Sequence, residues 1–222
     1  DALIIGEIWN HATKWMGGDQ MHTVTNYKYR KWLLDFIGGK IGSDLFWQKT
    51  AANDMLYITP CYDYLINLLG SHDTCRVAEE IGPERAALAL LMTLSFRGMP
   101  LIYYGDELGL AGGEDPDNRR AMPWQRATEE NTAHVSAFSR LRREYADIFK
   151  CGTLEPLPTA GESLAFERAS GGRRLKIIVN FGKVPCEACG TQVFAYNAET
   201  KCVTTEERNV DCIGGMTFAV CK

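Results

Sequence analysis

Over the first part of the chain, apolar residues come in short unbroken runs at 2–5, 64–69 and 101–104. Half-solvated strands would alternate apolar and polar positions. Unbroken runs instead predict parallel strands covered on both faces. A more polar run rich in β-branched residues, 21–27, is a fourth candidate strand. Apolar positions at helical spacing lie between these runs, at 29–37 and, after a Gly38-Gly39 break, at 45–56. Pro83 stands at a helix start ahead of 84–96, and a last helix is expected over about 130–149. The order β, β, α, β, α, β, α predicts a mainly parallel α/β sheet or barrel.

The pattern changes after Cys151. Short strand-like segments at 163–168, 175–181, 192–196 and 216–220 are punctuated by Gly171-Gly172, Gly182, Gly190 and Gly214-Gly215. They predict a small antiparallel β-sandwich, so the chain divides into 1–150 and 151–222.

Composition narrows the function classes. The 222 residues are 45% apolar and 23% charged, with 24 basic and 28 acidic side chains and a net charge of −4. A chain of this size buries a core without covalent staples, so its eight cysteines are not needed as a disulfide framework. The slight acidity argues against a nucleic-acid partner, which requires a basic face. No apolar run approaches the roughly 18 residues of a membrane span. A compact enzyme or binding domain remains. The chain opens directly in a strand-like run, without an initiator methionine or a signal-peptide pattern, as if cut inside a domain.

In a parallel α/β layer, functional groups gather beyond the carboxyl ends of the strands. The first strand runs into Gly6-Glu7-Ile8-Trp9 and the third into Gly70-Ser71-His72-Asp73-Thr74. The last runs into Gly105-Asp106-Glu107 and a loop containing Asp115 and Arg119-Arg120. Carboxylates beside an indole suit carbohydrate chemistry: one acid protonates a glycosidic oxygen, another stabilises an oxocarbenium-like centre, and the ring stacks on a sugar face. Each residue also has a plainer reading. Glu7 could bond a loop or cap a helix, Asp73 or Thr74 could cap a helix starting near Cys75, His72 could be a buried satisfied histidine, and Trp9 could be core.

Four ordered segments resemble the α-amylase superfamily of glycoside hydrolases, in particular its neopullulanase and cyclomaltodextrinase branch. They are Gly6-Glu7-Ile8-Trp9, then Gly18-Asp19-Gln20 with Asn26-Tyr27, then the stretch from Asn67 to Thr74, and finally Pro100 to Glu107 with Gly112 to Arg120. The resemblance implies the C-terminal half, strands 5–8, of a (β/α)8 barrel, followed by the family's C-terminal sandwich. It implies that Glu7 is the general acid/base, a role helped by partial burial and nearby carboxylates. It implies that Asp73 grips sugar hydroxyls and favours the charged transition state, that His72 bonds the same ring, and that Trp9 lines the acceptor side. Asp115 and Arg119 would hold a donor-side glucose, while Asp106 and Glu107 are read as structural. No cofactor or metal is implied, and the partner is an α-glucan oligosaccharide.

The departures matter too. The family's retaining reaction needs a nucleophilic aspartate from the fourth strand, and the chain begins at the fifth, with Asp1 at the wrong end to replace it. Asn10-His11 and His22 also depart from the branch pattern. The chain alone is therefore expected to be inactive. Four strands leave two open edges, so it is also expected to self-associate, half with half. The intact parent acts on pullulan, cyclodextrins or maltooligosaccharides in this reading. The rivals are an α-glucosidase or oligo-1,6-glucosidase, and a non-catalytic carbohydrate-binding module. Cys186-Glu-Ala-Cys189 has metal-knuckle spacing, with Cys202 or Cys212 as candidates to complete a site, against free thiols or core packing. A cytoplasmic setting, in which thiols are the default, is the expectation.

Overall fold

The computed structural model describes residues 2–58 and 61–222, so Asp1 lies outside the described residues. Four short strands run parallel: β1 (Ile5–Gly6), β2 (Thr23–Val24), β3 (Ile66–Leu68) and β4 (Met99–Leu101). β1 pairs with β2 and β3 with β4, and a single parallel bridge between Thr25 and Ile66 joins the two pairs.

Helices cover this arc. In α1 (Tyr27–Ile37) the buried Tyr29, Trp32, Leu33, Phe36 and Ile37 follow helical one-face spacing. Its N-cap Asn26 accepts from the Tyr29 N–H, while the Asn26 N–H donates to the Ile66 carbonyl, tying the helix start to β3. After α2 (Ser43–Asp54) and α3 (Val77–Ile81) comes α4 (Pro83–Ser95), with Pro83 at its first turn. α4 is buried at Ala86 and continuously from Leu88 to Ser95, as befits a helix packed on both sides. The single helix expected over 130–149 is two: α5 (Glu129–Glu144) and α6 (Ala146–Cys151), broken at Tyr145.

The tail is one hydrogen-bonded, seven-stranded antiparallel sheet. Its strands are β5 (Thr153–Leu157), β6 (Ser163–Ser170), β7 (Arg173–Asn180), β8 (Cys186–Asn197), β9 (Cys202–Thr204), β10 (Arg208–Ile213) and β11 (Thr217–Cys221). They lie in the order β10-β8-β11-β7-β6-β5, with β9 also on β8. One face packs on the helices, while the other buries a separate cluster of Ala165, Ile178, Ala188, Ala195, Ile213 and Ala219. Phe166, Phe194 and Phe218 of the sheet share one aromatic cluster with Trp47 of α2, Phe96 at the end of α4 and Phe138 of α5. Arg168 of β6, fully buried, donates to the carbonyls of Ser95, Ile148, Gly152 and Thr153 and clamps the ends of α4 and α6 to the sheet.

The parallel strands are shorter than expected, and two are shifted. The run 2–5 leaves Leu3, Ile4 and Ile5 at 61, 48 and 51% exposure, so the cover predicted on both faces is missing there. β4 begins before Pro100 rather than after it. As an edge strand it tolerates the missing N–H. Among the described residues, no helix is long and apolar enough to cross a membrane.

Candidate active site

Each candidate site residue lies in the segment that follows the carboxyl end of a parallel strand. Glu7 and Trp9 follow β1, Tyr27 opens α1 after β2, His72 and Asp73 follow β3, and Asp115 and Arg119 lie on the loop after β4. Glu7, His72 and Asp73 converge so closely that one side-chain ligand atom from each lies within 4.8 Å of the others. All three are exposed, so the partial burial expected of Glu7 is absent. Glu7 is open to solvent, and His72 is not a core histidine.

The loop carrying His72 and Asp73 is fixed by its own hydrogen bonds. The Ser71 N–H donates to Thr74 Oγ1 at 3.0 Å, and the Asp73 N–H donates to Ser71 Oγ at 3.2 Å. Thr74 thus closes a turn. Neither it nor Asp73 caps a helix, since α3 starts later, after Arg76, and has no side-chain cap. Buried Asn118 donates its amide to the carbonyls of both His72 and Thr74, at 2.8 Å each. The loop lies on Asp106: a Cβ at Gly70 would stand 2.9 Å from Asp106 Oδ2, so only glycine allows this approach.

Asp73 sits between two nitrogen partners, with Oδ2 3.3 Å from His72 Nε2 and Oδ1 3.4 Å from the Arg119 guanidinium Nη2. Arg119 Nε reaches the His72 carbonyl at 3.1 Å and Asp115 Oδ1 at the same distance. The two loop residues assigned to a neighbouring sugar therefore form an ion pair of their own that also grips the Asp73 turn. Trp9 is 47% exposed, which removes the core reading, and its indole stacks on the Tyr27 ring at 3.9 Å and 7°.

Tyr27 and Ser71 stand within the sequence motifs but were given no site role there. Tyr27 closes the run read as a strand, and a tyrosine beside apolar residues looks like core. In the fold its hydroxyl lies 2.9 Å from Glu7 Oε1 and 3.0 Å from Ser71 Oγ. Burial pushes the Tyr27 phenol up to about 12, opposed by the bond to Ser71 and reinforced by the Glu7 carboxylate.

Beneath the rim, Asp106 is buried against Arg76, and the Arg76 guanidinium lies over the rings of Tyr103 and Tyr104. The cysteines do not assemble. Among the described residues, the only close group of three or more His, Cys, Asp or Glu is Glu7-His72-Asp73, and all eight cysteines are free.

A helix-backed parallel arc with acidic side chains gathered at its carboxyl rim defines an α/β protein of the barrel type, whose chemistry is carried by the loops following its strands. The model of the α-amylase catalytic domain matches residues 1–150, and the chain belongs to that family. Among curated relatives, a cyclomaltodextrinase of Thermoanaerobacter pseudethanolicus is 34% identical over 186 residues, covering 81% of this chain and 32% of the relative. Neopullulanase 2 of Thermoactinomyces vulgaris is 42% identical over 146 residues, 64% of this chain and 25% of the relative. Among solved structures, the ligand-free cyclic α-maltosyl-(1→6)-maltose hydrolase of Arthrobacter globiformis superposes with a TM-score of 0.81 at 26% identity, covering 99% of this chain and 48% of that one. The chain thus spans roughly a third or less of these curated relatives and about half of the solved one.

Proposed function

We propose that these residues carry the acid/base part of the active site of a retaining α-glucan hydrolase of the neopullulanase and cyclomaltodextrinase type. In this reading the four parallel strands are strands 5–8 of a (β/α)8 barrel, and the nucleophilic aspartate comes from outside these residues. The observation that carries the reading is the convergence of Glu7, His72 and Asp73 beside Trp9 at one rim, in a family member whose relatives are named for acting on cyclomaltodextrins and pullulan.

The roles in this reading are those the family resemblance implies, and the geometry is compatible with them. As the nucleophile bonds to the anomeric carbon, the glycosidic C–O bond breaks, and Glu7 gives its proton to the departing oxygen. Glu7, now a carboxylate, takes a proton from water as that water displaces the enzyme carboxylate from the sugar. Asp73, held by His72 and Arg119, accepts hydroxyls of the distorted ring, with His72 bonding the same ring. Trp9 stacks on the acceptor sugar, and the Asp115–Arg119 pair contacts the neighbouring donor-side glucose. Eight free thiols suit the reducing cytoplasm we assign to the protein.

Assay of the full-length protein on cyclodextrins, pullulan and maltotriose tests this. The wild type should release sugars of retained anomeric configuration, and Glu7→Gln should lower turnover by about 100-fold or more, the usual worth of a general acid. Saturable maltotriose binding with no turnover in the full-length wild type would leave a carbohydrate-binding module as the function.

A further inference from the structure

The acid/base carboxylate is not held by the strand that carries it. Glu7 lies exposed beyond β1, with no cation in the ion pairs of the described residues. Among the described residues, its one side-chain hydrogen bond is with the Tyr27 hydroxyl, at 2.9 Å from Oε1. That hydroxyl has a single proton and two neighbours, Glu7 Oε1 and Ser71 Oγ. The carboxylate is the stronger acceptor, so the proton goes to Glu7 and Ser71 donates to Tyr27. Ser71 Oγ in turn accepts from the Asp73 N–H at 3.2 Å. One directed chain then runs from the Asp73 backbone through Ser71 and Tyr27 to Glu7, linking two loops that follow different strands.

We propose that Tyr27 is the positioning residue for Glu7: its hydroxyl, committed by Ser71, occupies Oε1 and leaves Oε2 as the oxygen that transfers the proton, while its ring fixes the plane of Trp9. The proposal rests on the reading of Glu7 as acid/base. Two features make Tyr27 suited to the task. It is the first residue of α1, anchored by the Asn26 cap to β3, so hydroxyl and ring have a rigid base. Its phenol titrates far above neutrality, so it remains a donor throughout the working range. One side chain thereby sets the proton donor and the stacked indole relative to each other, which a carboxylate on an open rim cannot do by packing.

The test uses the full-length protein and two substrates that differ in their need for an acid. Maltotriose requires protonation of its leaving oxygen, whereas α-maltosyl fluoride releases fluoride without it. Tyr27→Phe keeps the ring on Trp9 and removes only the hydroxyl. Its kcat/KM on maltotriose should fall about 10- to 100-fold, while that on the fluoride stays within about threefold of wild type. Ser71→Ala should shift the two substrates in the same sense by less, and Tyr27→Leu should also raise KM for maltotriose as the Trp9 stack is lost. An equal loss on both substrates in Tyr27→Phe, as misfolding or a general structural role would give, overturns the proposal, as does an undiminished rate on maltotriose. A wild type inactive on both substrates overturns the hydrolase reading itself, and this inference with it.

Discussion

Arg76 and Asp106 form a buried ion pair under the rim: Nη1 stands 3.5 Å from Oδ1, and each side chain is 1% exposed. Burial raises the Asp106 carboxyl to about 7, and Arg76 opposes that rise without cancelling it. The folded state thus holds this proton more tightly than the unfolded chain, and the associated stability is lost as pH rises from about 4 to about 7. Urea unfolding at pH 5 and pH 8 checks this. Asp106→Asn should lose most against wild type at pH 5 and less at pH 8, because it carries no titrating group. Arg76→Met, which strips the pair of its cation, should cost about 3–5 kcal/mol at pH 8.

Arg168 has a different role. It meets only backbone carbonyls, those of Ser95, Ile148, Phe149, Gly152 and Thr153, and burial lowers it to about 10. Arg168→Leu should destabilise by about 3–5 kcal/mol, since several buried carbonyls lose their donor together. Lysine should not rescue it, because three donors on one nitrogen cannot reproduce the spread of the guanidinium. Thermal melts of the two variants would decide, and a shift of a degree or less would reject the clamp.

The 222-residue chain by itself should self-associate. Leu3, Ile4, Ile5 and Ile102 are between 40 and 61% exposed, on and beside the two edge strands of the parallel arc. Size-exclusion chromatography with light scattering should give a dimer or larger, and replacing Leu3 and Ile5 with serine should shift it towards monomer. A monodisperse wild-type monomer would refute this.

Thiol labelling should follow exposure. Cys151, Cys189, Cys202 and Cys212 are exposed and should react first, with Cys61, Cys75 and Cys186 slower. Cys221 is buried, its thiol is pushed up by that burial, and it should react only on unfolding. Stoichiometric zinc in the purified chain would contradict the dispersed arrangement.

How much of this was legible in the sequence follows from the range of each signal. The rim argument placed Glu7, Trp9, His72 and Asp73 at strand ends, because unbroken apolar runs and the residues after them are local features. The strands β6, β7, β8 and β11 carry enough apolar side chains to declare themselves, whereas β5 contains Pro156 and β10 is mostly polar and exposed. The helices against one face of the tail sheet were not legible in its strands, because a strand's apolar face reads alike whether a helix or another sheet covers it. Tyr27 and Ser71 were given no role since their meaning lies in a contact 44 residues apart in sequence, which no periodicity encodes.

The aromatic cluster that runs from Trp47, Phe96 and Phe138 into Phe166, Phe194 and Phe218 has a consequence for inheritance. Interlocked rings on both sides of residue 151 mean that neither part presents a finished surface to the other. The tail sheet cannot be traded between relatives like a bead on a string. Any exchange by recombination would have to bring its matching helices along, and the parts should melt as one event rather than two.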